Sequence, residues 1–301
     1  MNNAAAALAG KKPAFTVKNL LTPLLAHPRV AHLLKYTVYA ALVVNFGIYA
    51  YDDWMAYRAA LGPGAPFLEI MEQFATTIDT AAWLGLVFLF ELETHALPDH
   101  LFMPWVSRLL IAARLVCYVA ITYGAYGYTA GTLSYYTSEP VTGVSELCQL
   151  AGQGQSLQLD SISYVAITAD NCATLADASE FQRVPNEISV IDGPTLTHVK
   201  WMGWVDVENA FLWLLVVFLI EIELRLQAAD QFSGRPLQAV RRVKTALYLL
   251  LILNIFLWGA DGYIVYAWDA FLWIFGFWAI ELNFAEWELE RQAELAIGGS
   301  T

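Results

Sequence analysis

Residues 245–265 read TALYLLLILNIFLWGADGYIV. The run holds one charged residue, Asp261, close to its end. A helix needs about 20 mostly apolar residues to cross the roughly 30 Å hydrocarbon core of a bilayer. This segment meets that requirement. A second apolar run, Ala267–Ala285, follows with almost nothing between them, so the pair reads as a tight helical hairpin. Working outward, four more stretches qualify as spans: Tyr36–Tyr51, Ile78–Leu97, Val106–Tyr128 and Asn209–Leu226. The first is short and has room to begin earlier, near His32.

Composition points the same way. Hydrophobic residues make up 58% of the 301 residues and charged residues 15%, against roughly 45–50% and about 25% in soluble domains. Mean hydropathy is +0.48. A soluble core with a charged skin does not fit, nor does a disordered, collagenous or disulfide-dense secreted chain. The net charge of −12 disfavours nucleic-acid binding, which needs clustered Lys and Arg.

The second, fourth and sixth spans align without a gap. Asp79, Trp83, Phe88, Glu91 and Glu93 match Asn209, Trp213, Phe218, Glu221 and Glu223, and then Asp269, Trp273, Trp278, Glu281 and Asn283. Tyr39, Asn45, Tyr49 and Asp52 match Tyr248, Asn254, Trp258 and Asp261 at equal offsets. The third span agrees weakly, through Thr122 and Tyr126. The expected fold is therefore an all-α polytopic membrane protein of six transmembrane helices, arranged as three repeated two-helix hairpins. Parallel repeats imply a pseudo-symmetry axis along the membrane normal, and the three motifs would approach it.

Positively charged residues orient such a chain. With a cytoplasmic N-terminus, all of the 16 Lys and Arg except Arg58, Arg183 and Lys200 fall on the inside. Both termini are then expected inside, with the excess of acidic residues outside. The apolar run begins near residue 36 with no small-residue cleavage site after it, so the first helix is expected to be an uncleaved anchor. Phe15–Leu34, broken by Pro23 and Pro28, reads either as a stretch lying on the inner membrane surface or as an unstructured leader.

These readings divide the chain. Residues 1–35 are the N-terminal segment and 36–97 the first hairpin. The second hairpin covers 106–226 and carries an outer cap over 129–205. The third hairpin is 245–285, and 286–301 form a cytoplasmic tail. Cys148 and Cys172 both lie in the cap, and two cysteines in one extracytoplasmic domain suggest a disulfide. Leu157–Thr168 alternates apolar and polar residues and predicts a strand. Cys117 lies inside a span and reads as a packing residue.

Glu91, Glu221 and Glu281 are the leading candidates for chemistry. A charge at span depth is costly, so it normally faces the bundle interior and finds a partner. Arg114 is the basic residue at matching depth, and a buried Arg–Glu pair would neutralise both. Together with an outer layer that includes Asp52, Asp53, Asp79, Asp206, Glu208, Asp261 and Asp269, the glutamates suggest a pathway for cations or protons. In the competing reading, Asp79, Asp206 and Asp269 merely favour helix N-termini, and the glutamates form salt bridges with Arg114, Arg225, Arg241, Arg242 and Lys244. Trp83, Trp213 and Trp273 are either motif residues or part of an interfacial aromatic belt.

Glu91, Glu93, His95, Asp99 and His100 cluster at one helix end, but they read better as a polar membrane-exit segment than as a metal site. No metal is assigned. With no histidine in mid-span and no phosphate-cradling Gly loop, no cofactor is expected.

The expected function is a channel or secondary transporter for cations or protons in the bacterial inner membrane. The alternative is a non-transporting scaffold or accessory subunit that binds a protein partner through the cap, alone or as an oligomer. A membrane enzyme ranks third.

Overall fold

The long apolar runs form long helices whose side chains face outward. In the computed structural model, which describes residues 28–62, 64–93, 103–175, 178, 180–228 and 235–277, α1 spans Pro28–Ala60. A short α2, Phe67–Gln73, meets α3, Ala75–Glu91, at a 65° bend. Next come α4, Pro104–Ser134, and a cap that contains the one-turn α5, Cys172–Leu175. Beyond the cap lie α6, Gly193–Ala228, α7, Arg235–Ala260, and α8, Ile264–Phe277. Residues 42–278 form one compact unit; the other unit comprises residues 1–41 and 279–301, and its described part is the first turns of α1.

Among the described residues, four helices are long and apolar enough to cross a membrane: Leu33–Ala60, Pro104–Thr137, Gly193–Ile220 and Pro236–Ala260. The bent α2–α3 pair makes a fifth if counted as one span. The surface supports a lipid setting. Val116, Leu249 and Phe256 are 67, 62 and 69% exposed, and Val44, Ile111, Leu115 and Phe218 are similarly bare. Apolar exposure on this scale is foreign to a soluble monomer. It is natural where lipid is the solvent and each helix satisfies its own backbone.

The expected second span differs in form. The chain turns after Ala60, runs through α2, bends at Phe74 and only then enters α3. The Asp53 carboxylate of α1 accepts hydrogen bonds from the Thr77 backbone N–H at 2.9 Å and the Thr77 hydroxyl at 2.7 Å, which satisfies the start of α3. The expected sixth span begins in α8, and its remainder, residues 278–285, lies outside the described residues, as do 1–27 and the tail. Gly262, at φ 91°, makes the tight turn between α7 and α8, which an L side chain would resist.

Small residues let α3 and α4 touch. A Cβ on Gly127 would lie 2.7 Å from the Ala75 Cβ, and one on Gly124 would lie 2.8 Å from the Asp79 Cβ. Close backbone approach of this kind is how apolar helices gain packing within a membrane. Gly127→Leu is expected to force the helices apart and cost about 1–3 kcal/mol, the usual range for overpacking. A lowered unfolding midpoint in detergent, followed by tryptophan fluorescence, would show it; an unchanged midpoint would mean the contact is not tight.

The cap is smaller than 129–205. α4 continues to Ser134 and ends in a 3-10 turn, Tyr135–Thr137, while α6 already begins at Gly193. The helices continue past the apolar runs because they pack on each other there: a Cβ on Gly203 would meet the Thr132 hydroxyl at 2.6 Å. Asp192 caps α6, its carboxylate accepting the Thr195 N–H at 2.8 Å.

The cap's strands are β1 (Glu139–Pro140), β2 (Ser156–Gln158), β3 (Tyr164–Ala166), β4 (Phe181–Arg183) and β5 (Ile191–Asp192). They form an antiparallel β1-β4-β5 sheet and a β2–β3 hairpin. The predicted single strand over 157–168 is thus two strands. Asp160 breaks it, because its carboxylate accepts the N–H groups of Ile162 at 2.8 Å and Ser163 at 2.7 Å and closes a turn. The Cys148–Cys172 disulfide is present. It borders a core of Leu147, Leu150, Leu157, Ile167, Phe181 and Val190. The cap docks on the end of α1: the Ser156 hydroxyl donates to the Ala59 carbonyl at 2.6 Å, and the Ile188 N–H to the Ala60 carbonyl at 2.7 Å.

Candidate functional site

Three tryptophans that sit 130 and 60 residues apart in sequence meet in space. The Trp83 ring of α3 lies 6.0 Å from that of Trp213 on α6 and 5.8 Å from that of Trp273 on α8. Phe277 packs against all three, with ring centres 5.4–6.3 Å apart. All three, with Phe277, form the floor of a chamber between the helices.

One helical turn toward the cap from each tryptophan stand Asp79, Asn209 and Asp269. All three line that chamber, a cavity of about 70 Å³, together with Asp206, Tyr49, Tyr128, Tyr266 and Trp258. The (i, i+4) spacing puts each acid or amide over its own tryptophan. Asp79 accepts a hydrogen bond from the Trp83 indole N–H at 3.1 Å and one from the Tyr128 hydroxyl at 3.4 Å. Asp269 accepts from the Asn45 amide of α1 at 2.7 Å, with Tyr49 and Trp273 close by. Asp206 accepts from the Trp258 indole of α7 at 3.0 Å.

Toward the cap the chamber adjoins a larger vestibule of about 340 Å³, and Thr76, Tyr128, Asp206 and Tyr266 line both. The vestibule wall carries Asp52, Asp53, Glu69, Glu72, Glu187 and Asp206 and, among the described residues, no Lys, Arg or His. Three basic residues near the cap have partners outside the vestibule lining. Lys200 lies 4.7 Å from the centre of the Tyr136 ring, Arg183 donates to Gln155 at 2.9 Å, and His198 contacts Asp261 at 2.8 Å. Away from the cap, the tryptophan floor rests on Leu212, Val216, Leu247 and Leu251.

Of the expected inner layer, Glu91 and Arg114 are not among the residues that line the chamber. Arg114 pairs with Glu93, the second acid of the first motif. Glu223 pairs with Arg241 at 2.9 Å and with Lys244 at 2.7 Å. These second acids behave as ordinary salt-bridge partners. Glu91 is half-buried at the last residue of α3. Glu221 belongs to α6, and its side chain, like the whole of Glu281, lies outside the described residues. The structure therefore brings together Asp79, Asp269 and the three motif tryptophans at the chamber.

Sequence reading passed over Tyr128, Tyr266 and the Asp206–Trp258 bond as site features. Asp206 and Trp258 are on different helices 52 residues apart, and no spacing rule links them. Asn209 carried a signal, since it occupies the motif position that Asp79 and Asp269 hold. Among the described residues, no group of three His, Cys, Asp or Glu side chains is placed to hold a metal ion. Comparison with protein-family models, curated proteins and solved structures finds no match to this chain.

In the cap, burial pushes the Glu187 carboxyl up to about 7; the nearby Glu69 charge adds to this, and the hydrogen bond from Ser189 opposes it. A carboxyl raised above its unfolded value stabilises the fold while protonated. That stability is complete below about pH 4.5, the ordinary glutamate value, and is lost as pH rises through about 7. Hydrogen exchange in the cap, corrected for intrinsic rate, is expected to show greater protection at pH 5 than at pH 8 (buffer pH values). Glu187→Gln should flatten the dependence; an unchanged slope in the variant would reject Glu187 as its source.

Proposed function

We propose that this chain is a channel or secondary transporter for protons or small cations. It would sit in the bacterial inner membrane as six helices in three repeated hairpins, with both termini cytoplasmic and the cap outside. One observation carries the reading: Asp79, Asp206 and Asp269 surround one chamber between the helices, and among the described residues no basic residue lines it or its vestibule. Carboxylates without a cationic partner are expensive among membrane helices. Protons or cations drawn from the cap side would compensate them. A mouth lined by acids concentrates cations before they enter. The meeting of Trp83, Trp213 and Trp273 supports the repeat, because equivalent positions of three hairpins approach one axis. The apolar floor fits a closed gate, of the kind that opens by wetting.

The pathway expected from sequence, through Glu91, Glu221 and Glu281 with Arg114, would be the continuation beyond that floor. In the scaffold reading, the cap would be the partner-binding part. The chamber speaks against that as the whole function, since an assembly surface has no use for buried acids.

The test is flux from proteoliposomes holding the purified full chain. Proton- and alkali-cation-sensitive dyes should report flux above that of empty liposomes, with either side of the membrane made acidic or salt-loaded. No flux under any of these gradients would sink the transport reading.

A further inference from the structure

At the cap end of the helices the exposed surface changes in kind. Farther from the cap it is aliphatic, with Val116, Val119 and Leu215 bare. Near the cap it turns aromatic: Tyr51 and Trp54 of α1, Tyr136 after α4, Trp201 and Trp204 of α6 and Trp268 of α8 are all exposed. Such a girdle belongs at the level of lipid headgroups, where an amphipathic ring faces both apolar chains and water.

One part of the girdle is joined across two helices. The Trp204 indole N–H donates to the Tyr136 hydroxyl at 3.1 Å. The Lys200 Nζ lies over the Tyr136 ring, 4.7 Å from its centre. Lys200 and Trp204, four residues apart, share a face of α6. The cluster is on the outside of the vestibule wall. Thr132, Tyr135, Val199 and Gly203 line the vestibule, whereas their neighbours Tyr136, Lys200 and Trp204 do not.

Two bonding capacities are left over. A tyrosine hydroxyl can both accept and donate, and an ammonium has three hydrogens to donate. Tyr136 accepts from Trp204, and among the described residues nothing takes its own hydrogen. No carboxylate among the described residues pairs with Lys200. The Tyr136 ring holds the ammonium in place without cancelling its charge. Two other basic side chains near the cap differ: Arg183 donates to Gln155, and His198 meets Asp261. Beside Lys200 lies bare apolar surface, since Leu133, one turn before Tyr136, is exposed, as is Trp201. A fixed cation and a hydroxyl donor at the edge of an apolar face complement a phosphate carried on acyl chains.

We propose that Lys200 and the Tyr136 hydroxyl bind the phosphate of a net-anionic phospholipid, with Trp204 fixing Tyr136 and with Leu133 and Trp201 against the acyl chains. Charge-assisted hydrogen bonds to phosphate are among the stronger ones, and a lysine at the membrane surface attracts anionic lipid. A zwitterionic headgroup would bring its own cation beside Lys200, which disfavours it. The site needs only that these helices face lipid; it does not depend on the transport reading.

The experiment is photolabelling of the full chain in nanodiscs. Phosphatidylglycerol or phosphatidylcholine, each with a photoreactive group high on an acyl chain, is added in equal trace amount to a phosphatidylcholine host. Labelled peptides are identified by mass spectrometry. Phosphatidylglycerol should label residues 133–136 and 201–204 more than phosphatidylcholine by about fivefold, the scale of one lysine at an anionic surface. Lys200→Met should bring this ratio to about one, and Lys200→Arg should restore it. The ratio at other residues should not change, which shows that the variants remain folded and embedded. Tyr136→Phe keeps the ring and loses the donor; it should lower the preference roughly twofold and keeps the test decisive if Lys200→Met misfolds. Glycerol 3-phosphate in excess should not compete, because it lacks the chains. Equal labelling by both lipids in wild type overturns the site, as does a preference that survives in the folded variants. Displacement by glycerol 3-phosphate would assign the cluster to a soluble phosphate and overturn the lipid as its occupant.

Discussion

Asp269→Asn and Asp206→Asn are each expected to cut cation or proton flux by roughly tenfold to several-hundredfold. The figure follows from charge alone. Two unit charges about 4 Å apart interact by about 1 kcal/mol in water and about 4 kcal/mol at an effective dielectric constant of 20. Removing one carboxylate forfeits an attraction of that order for any cation held in the chamber. Asparagine keeps the size and one acceptor oxygen, so Asn45 and Trp258 can still donate. Loss of flux would then report charge and not collapse. Glu93→Gln is the control: its carboxylate faces Arg114 at a half-exposed position away from the chamber, and its flux should stay within about twofold of wild type, since exposed ion pairs contribute little. Glu91→Gln, Glu221→Gln and Glu281→Gln ask whether the path continues beyond the tryptophan floor. The comparison is flux in proteoliposomes at matched protein content, with folding checked first. Equal flux in Asp206→Asn, Asp269→Asn and wild type would remove the chamber from any pathway.

Breaking the Cys148–Cys172 disulfide should have the second largest effect, confined to the cap. The bond closes a loop with a sequence separation of 24 residues. In the chain-entropy model, a loop of this size stabilises by about 3 kcal/mol. Its own framework is slight: the strands are two or three residues long and the cluster beside the disulfide is small, although Ile162 and Ile191 also pack against the helices. A Cys148→Ser/Cys172→Ser double variant, or wild type under reductant, should be cleaved by protease within residues 138–192 at least tenfold faster, while the apolar helices stay intact. Because Tyr164, Val184 and Glu187 of the cap wall the vestibule, the same treatment should open it to a membrane-impermeant cysteine reagent in a Thr132→Cys variant. Unchanged cleavage would mean that the docking bonds to Ala59 and Ala60 hold the cap without the disulfide.

Much of this architecture was legible from residue order, because lipid imposes a simple length rule. A run such as 245–265 reads as helix in an apolar solvent, and most of it is helix, but α7 begins earlier, at Arg235, and ends at Ala260, where Asp261 and Gly262 turn the chain into α8. α4 contains the run read for it, and the two cap cysteines pair as their shared compartment suggests. The rule says nothing about where a helix stops beyond the bilayer. α4 and α6 therefore run on into the expected cap, held by contact between Gly203 and Thr132. It also misses breaks: α2 and α3 are both apolar, and only Asp53, reaching over from α1 to Thr77, marks where the bend is stabilised. In the cap, alternation correctly signalled extended chain but could not show Asp160 turning it back on itself.

Residue order is enough to read apolar helices of membrane length, to expect the Cys148–Cys172 disulfide, and to align Asp79, Asn209 and Asp269 with their tryptophans. Each depends on local composition or on spacing within one segment. Which of the many acids share a space is visible only once the helices are packed. Asp206 joins Asp79 and Asp269 because α6 meets α7, whereas Glu93 and Glu223 find Arg114, Arg241 and Lys244. Pairing depends on distances between helices far apart in the chain, and the energy of a carboxylate depends on whether a cation or an indole N–H lies against it. That is a property of packing, and no single segment contains it.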